Sequence, residues 1–170
     1  MKSMEHLDHV ARIQQQWAAE RPDLDPTPQG IIGRLHRLAI FLREDICTVY
    51  ADHGLTEAEF DVLATLRRSG EPYCLAPSEL AAQTMVTSGA TTKRLDRLVS
   101  AGYVERQSAD GDQRRRRISL TAAGKTKIDE VMTYHLDNEA RLIAQLSLTQ
   151  QSALEGALKS WLKHYESPQG

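Results

Sequence analysis

At 170 residues the chain has the size of one domain with helical extensions, and 41% apolar but only 5% aromatic content predicts a core of Leu, Ile, Val and Ala. A net charge of −2 excludes a uniformly basic nucleic-acid coat. No apolar run nears the ~20 residues of a membrane helix and no basic-then-apolar leader opens the chain, so a soluble cytoplasmic protein is expected.

The first expected element is an amphipathic helix over residues 5–20, where Leu7, Val10, Ile13 and Trp17 recur at helical spacing. Arg21-Pro22-Asp23 ends it, and DLDPTP leads into a longer helix over about 28–52 carrying Ile31, Ile32, Leu35, Leu38, Ile40, Phe41, Leu42 and Ile46. Gly54 breaks that pattern. Thr56 and Glu59 have capping-box spacing and open a helix to about Arg68 that buries Phe60, Leu63 and Leu66. Asp61 lies off that face and, taken alone, reads as a solvated carboxylate. Ser69-Gly70-Glu71-Pro72 is a stop. A short helix over 77–84, a turn at Met85-Val86-Thr87 and a longer helix capped by Ser88 give helix-turn-helix order. After a turn at Ser100-Ala101-Gly102, strands are expected at 103–108 and 116–120 around a loop at Asp110-Gly111-Asp112. Thr121 then opens a long helix to about Leu146, and a last helix over about 149–165 carries a stripe of Leu154, Leu158, Trp161 and Leu162.

The charge is concentrated where a DNA-binding unit would need it. Residues 87–117 hold eight Lys/Arg against four Asp/Glu, and the remainder holds 13 against 19. At ~100° per residue, Leu95 shares a face with Thr91, Leu98, Val99 and Gly102, while Gly89, Ala90, Lys93 and Arg97 occupy the opposite face, with Thr92, Arg94 and Asp96 on the flanks. Small and donor-bearing side chains suit entry into a major groove: Lys93 and Arg97 toward guanine edges or phosphate, Thr92 toward either, Ala90 toward a thymine methyl. Ser88 and Gly89 sit where a helix N-terminus offers backbone donors to phosphate. An ordinary solvated helix would show similar residues. The hairpin separates the two readings, because four adjacent arginines, Arg114 to Arg117, repel one another unless an anion compensates them. Arg114 and Arg115 lie nearest the loop, where a wing tip would enter a minor groove, and Asp112 can orient Arg114.

The helix order, LTEAEFDVLATL, the SELA helix, TTKRLDRLVSAGYVER, the D-x-R of Asp112 and Arg114, and ISLTAAG together resemble the MarR family of winged-helix repressors over roughly residues 30–165. That resemblance implies a mainly α fold with a small β-hairpin, a winged helix-turn-helix with N- and C-terminal dimerisation helices. It divides the chain into residues 1–54, an extra helix plus a dimerisation helix; 55–120, the DNA-binding unit; and 121–170, C-terminal dimerisation helices. It implies a homodimer on a palindromic double-stranded operator, with no cofactor. The apolar terminal stripes fit dimerisation. Trp17 on an added helix before ERPDLD is similar to the urate-responsive, PecS-like branch. By that resemblance Trp17, Asp61, Arg94 and Arg106 would hold a small anionic effector: urate, another purine or an aromatic acid. Read alone, Trp17 is a core or interface residue. Arg106 shares strand parity with Val104, which predicts an inward guanidinium seeking a carboxylate, with Asp61 as one candidate.

Other readings remain open on the residues. His6 and His9 at i, i+3, joined by His36 or His135, could make a metal-responsive regulator, although no CxxC or HExxH supports one. Cys47 and Cys74 could make a thiol-responsive one, although they lack motif spacing and a flanking basic residue. The chain has no GxSxG, phosphate loop or Ser/His/Asp order, so an enzyme is not expected. A helical protein-binding module would explain the terminal stripes but not the arginine hairpin.

Overall fold

A computed structural model describes residues 7–85, 91–108 and 116–167. The elements in order are α1 (His9–Glu20), α2 (Thr27–Asp52), α3 (Glu57–Arg68), β1 (Cys74–Leu75), α4 (Pro77–Gln83), α5 (Thr91–Ser100), β2 (Val104–Ser108), β3 (Arg116–Leu120), α6 (Ala122–Ile143) and α7 (Leu148–Glu166). The fold is mainly helical, and the expected hairpin is part of a three-stranded antiparallel sheet in the order β1-β3-β2. Val104 pairs with Leu120 and Arg106 with Ile118, while β1 adds Cys74 against Ser119 and Leu75 against Ile118. Among the described residues no helix is long and apolar enough to cross a membrane.

The chain forms two compact units, residues 1–45 and 46–170. In the first, α1 begins later than its apolar spacing suggests because the Asp8 carboxylate accepts from the Ala11 N–H at 2.8 Å and caps the helix there. Val10 is its buried residue and lies against Gly33, where a Cβ would stand 3.1 Å from Val10 Cγ1. Arg34 reaches back to Asp8 at 2.8 Å, and Gln14 donates to the Pro26 carbonyl at 2.9 Å. Trp17, Ile31, Leu38 and Phe41 keep large exposed apolar surfaces.

The second unit is built around α3. Every residue from Glu59 to Leu66 is buried, because α4, α5, α6 and the sheet all pack against this helix. Leu63, Leu66, Leu80, Leu98, Ile118 and Ile128 form the centre of the core. Tyr50 stacks on Phe60 at 4.1 Å between ring centres, and its hydroxyl lies 3.2 Å from His135 Nδ1. Burial pushes the Tyr50 hydroxyl well above its ordinary pKa, and the nearby Glu139 charge acts in the same direction. After α5 the chain turns at Gly102, whose φ of 74° lies in the left-handed region that favours glycine. Thr121 then ties the sheet to α6: its hydroxyl donates to the Gly102 carbonyl at 2.7 Å and accepts from the Gly124 N–H at 3.0 Å. Helix α7 buries none of its residues, and its predicted stripe of Leu154, Leu158, Trp161 and Leu162 lies at the surface.

Candidate nucleic-acid interface and effector site

Helix α5 stands on Leu95 and Leu98, both buried, and turns Lys93 and Arg97 outward as its periodicity predicts. Val99, expected on the apolar face, is at the surface near the end of the helix. Ser88, Gly89, Ala90, Asp112, Arg114 and Arg115 lie outside the described residues, as does the side chain of Thr92. The described part of the candidate interface is therefore the body of α5 and strands β2 and β3.

Three arginines of this region have partners that chain periodicity does not reveal. Arg97 Nε lies 3.0 Å from Glu59 Oε1, and the Glu59 side chain is only 4% exposed. The same carboxylate completes the capping box of α3: its Oε2 accepts from the Thr56 N–H and hydroxyl, both at 2.8 Å. Arg106 stands opposite buried Ile118 on β3. Its guanidinium, however, is exposed and pairs with Asp96 of α5 at 2.6 Å, not with Asp61. Arg117 turns to β1, with Nε 3.3 Å from Cys74 Sγ and Nη2 donating to the Cys74 carbonyl at 2.9 Å. One of the four hairpin arginines thus anchors the third strand.

Asp61 is buried, contrary to the solvated carboxylate its helical face suggests. The reason is that α3 is enclosed on more than the Phe60/Leu63/Leu66 side. Arg68 approaches Asp61 at 4.0 Å and donates to the Gln83 carbonyl. Asp61 and Arg94 line one depression with Ala58, Val62, Leu80, Ala81 and Thr84. Its volume of about 10 Å³ suits a water molecule, not a purine. Of the four expected effector residues, then, Asp61 and Arg94 meet at one place on the α3–α4–α5 surface. Arg106 holds the opposite flank of α5 through Asp96, and Trp17 presents a half-exposed ring on α1.

Among the described residues no group of three or more His, Cys, Asp or Glu is arranged to hold a metal ion. His6 lies outside them, and His135 is occupied by Tyr50, Phe60 and Glu139.

A MarR family model matches residues 53–115, which run from just before α3 through α4, α5 and β2 and stop short of β3. The HTH-type transcriptional regulator PecS of Dickeya dadantii (strain 3937) is 38% identical over 91% of this chain and 93% of its own length. The chain belongs to the MarR family. It is thus one of a family of transcriptional regulators and not an enzyme. Two solved MarR structures share the fold. An Escherichia coli MarR mutant complexed with operator DNA is 28% identical with a TM-score of 0.66, covering 86% of this chain and 97% of that one. A Mycobacterium tuberculosis MarR family protein complexed with salicylic acid is 29% identical with a TM-score of 0.59, covering 75% and 92%. The MarR match covers Lys93, Arg97 and Arg106 as well as the buried carboxylates Glu59 and Asp61.

Proposed function

We propose that the chain is a homodimeric, cytoplasmic repressor that grips a palindromic operator through α5 and the wing and releases it on binding a small anionic aromatic ligand such as urate. Residues 55–120 would supply the DNA grip. Residues 1–54 and 121–170 would supply the dimer, which would cover the apolar side chains exposed on α2, α6 and α7. Lys93 and Arg97, with Ser88, Gly89, Ala90, Thr92, Asp112, Arg114 and Arg115, are the proposed DNA contacts. The operator complex of the E. coli relative and the salicylic acid complex of the mycobacterial one support both halves of this reading.

The observation that carries the ligand response is the placing of an aspartate beside each flank of α5. Arg94 shares a depression with the buried Asp61 on one flank, and Asp96 holds the wing residue Arg106 on the other. An anion that recruits Arg106 would compete with Asp96, and its charge would raise the energy of a nearby Asp61 carboxylate. Either change loosens the recognition helix. Trp17 is the proposed stacking face for a planar ligand. The exposed Arg106–Asp96 pair is worth only about 0–1 kcal/mol, so a modest ligand can displace it. Coupling of ~1–3 kcal/mol changes DNA affinity about 5–150-fold. Titrating urate into the protein–operator complex should release the duplex, and Asp61→Asn should blunt the release. Affinity unchanged by urate and by salicylate would overturn the ligand half of the proposal.

One contact favours a second reading. Arg117 places a cation on the Cys74 sulfur, a setting that suits a thiol-responsive regulator. Peroxide treatment that releases DNA from the wild type but not from Cys74→Ser would select it.

A further inference from the structure

Burying a carboxylate costs several kcal/mol unless it is paired and its lone pairs are satisfied. Glu59 meets both conditions through partners in different elements. One oxygen takes both Thr56 donors, and the other takes Arg97, its only ion-pair partner among the described residues. The cap fixes the Glu59 rotamer, and α3 is the helix around which the second unit packs. Arg97 is 63% exposed and engages the protein through Nε. One edge of its guanidinium is therefore tied to the most enclosed helix of the unit, and the rest is open to a phosphate or a base.

We propose that Arg97 is a positioning residue: its pair with the cap-held, buried Glu59 sets the angle at which α5 meets DNA, so operator discrimination depends on a carboxylate out of reach of DNA. The pair differs from the Asp61–Arg94 depression and the Asp96–Arg106 pair in one respect. Glu59 is shielded from solvent and braced by backbone, so a ligand in solution has little access to it. When the Asp96–Arg106 pair loosens, α5 pivots at Arg97. This inference rests on the DNA-binding reading above.

The test compares affinity for a selected operator duplex with affinity for a scrambled duplex, at several salt concentrations. E59Q is the discriminating variant. Glutamine keeps an acceptor for the Thr56 N–H, so the capping box survives, and it puts an NH2 donor against Arg97. The operator-to-scrambled ratio of E59Q should fall about tenfold, near the low end of the loss of a base-reading contact, with its salt slope unchanged. R97M, which also removes a proposed DNA contact, should lower the ratio at least as far and reduce the salt slope by about one, and E59Q/R97M should lower the ratio no further than R97M, as expected for two residues acting as one unit. T56A weakens the α3 cap but leaves the ion pair, so it should lower the melting temperature without moving the ratio. An E59Q ratio within twofold of wild type, or effects of E59Q and R97M that add in full, would overturn the proposal. A T56A ratio that falls with stability would also overturn it, by reducing Glu59 to a structural part. A wild type that does not discriminate between the duplexes would instead overturn the DNA-binding reading itself.

Discussion

Gly124→Ala puts a methyl group where the entry to α6 has no room. Its Cβ would lie 1.9 Å from the Tyr103 carbonyl oxygen, 2.8 Å from the Tyr103 carbonyl carbon and 3.0 Å from Leu120 Cδ1. Relief to ordinary contact, about 3.5 Å, needs the first turn of α6 to move by about 1.5 Å away from the start of the wing. That displacement pulls Thr121 off the Gly102 carbonyl and strains its cap to the Gly124 N–H. Loss of an N-cap costs about 0.5–2 kcal/mol and overpacking about 1–3 kcal/mol, so about 1.5–5 kcal/mol together. At about 2–4 °C per kcal/mol for a chain of this length, the melting temperature should fall by about 3–20 °C. Helical circular dichroism, followed against temperature at fixed protein concentration, measures the change. Gly156→Ala is the control: a Cβ there meets nothing within 4 Å, and α7 should gain up to about 1 kcal/mol from helix propensity. A Gly124→Ala protein that melts within about 2 °C of the wild type would refute the reasoning.

Three further outcomes follow from the same structure. Burial raises the pKa of the Tyr50 hydroxyl in the fold, so its contribution to stability is complete below the unfolded tyrosine value of about 10 and is lost as pH climbs beyond it. The urea midpoint should therefore drop between pH 9 and 11 and drop less in Tyr50→Phe; equal drops would contradict this. Lys93→Ala should weaken binding to all duplexes by a similar factor and reduce the salt slope by about one, measured by fluorescence anisotropy. A loss confined to one operator position would make Lys93 a base reader instead. Trp17→Ala removes a half-exposed ring, so thermal stability should change by no more than about 0.5 kcal/mol while the response to urate disappears. A retained response would move the effector away from α1.

Elements whose causes are local were legible in the chain. The Thr56–Glu59 capping box, the Leu95/Leu98 face of α5 and the pairing of the strands around the wing loop all rest on short spacings, and the structure contains each of them. Features caused by long-range packing were not legible. Strand β1 has two residues, too few for an alternation, and exists through its pairing with β3. Asp61 is off the apolar stripe of α3 but buried, because a periodicity argument assumes one covered face and α3 is covered on several. Glu59 carries a recognisable cap signal, but nothing in the sequence joins it to Arg97, 38 residues on. Arg106 shows how far parity reaches: it sets the residue opposite buried Ile118 on β3, but the side chain is exposed and paired with Asp96, not inward with Asp61.

The proposal has this chain read DNA through α5 and the wing, as a dimer, under the control of a small anion. Selection of duplexes from a random-sequence pool by the full-length protein, followed by elution with urate, tests it most directly. An inverted repeat with half-sites about one helical turn apart should be enriched, eluted by urate from the wild type and retained by Asp61→Asn. A pool that shows no sequence enrichment, or one whose bound duplexes ignore the ligand, would contradict it.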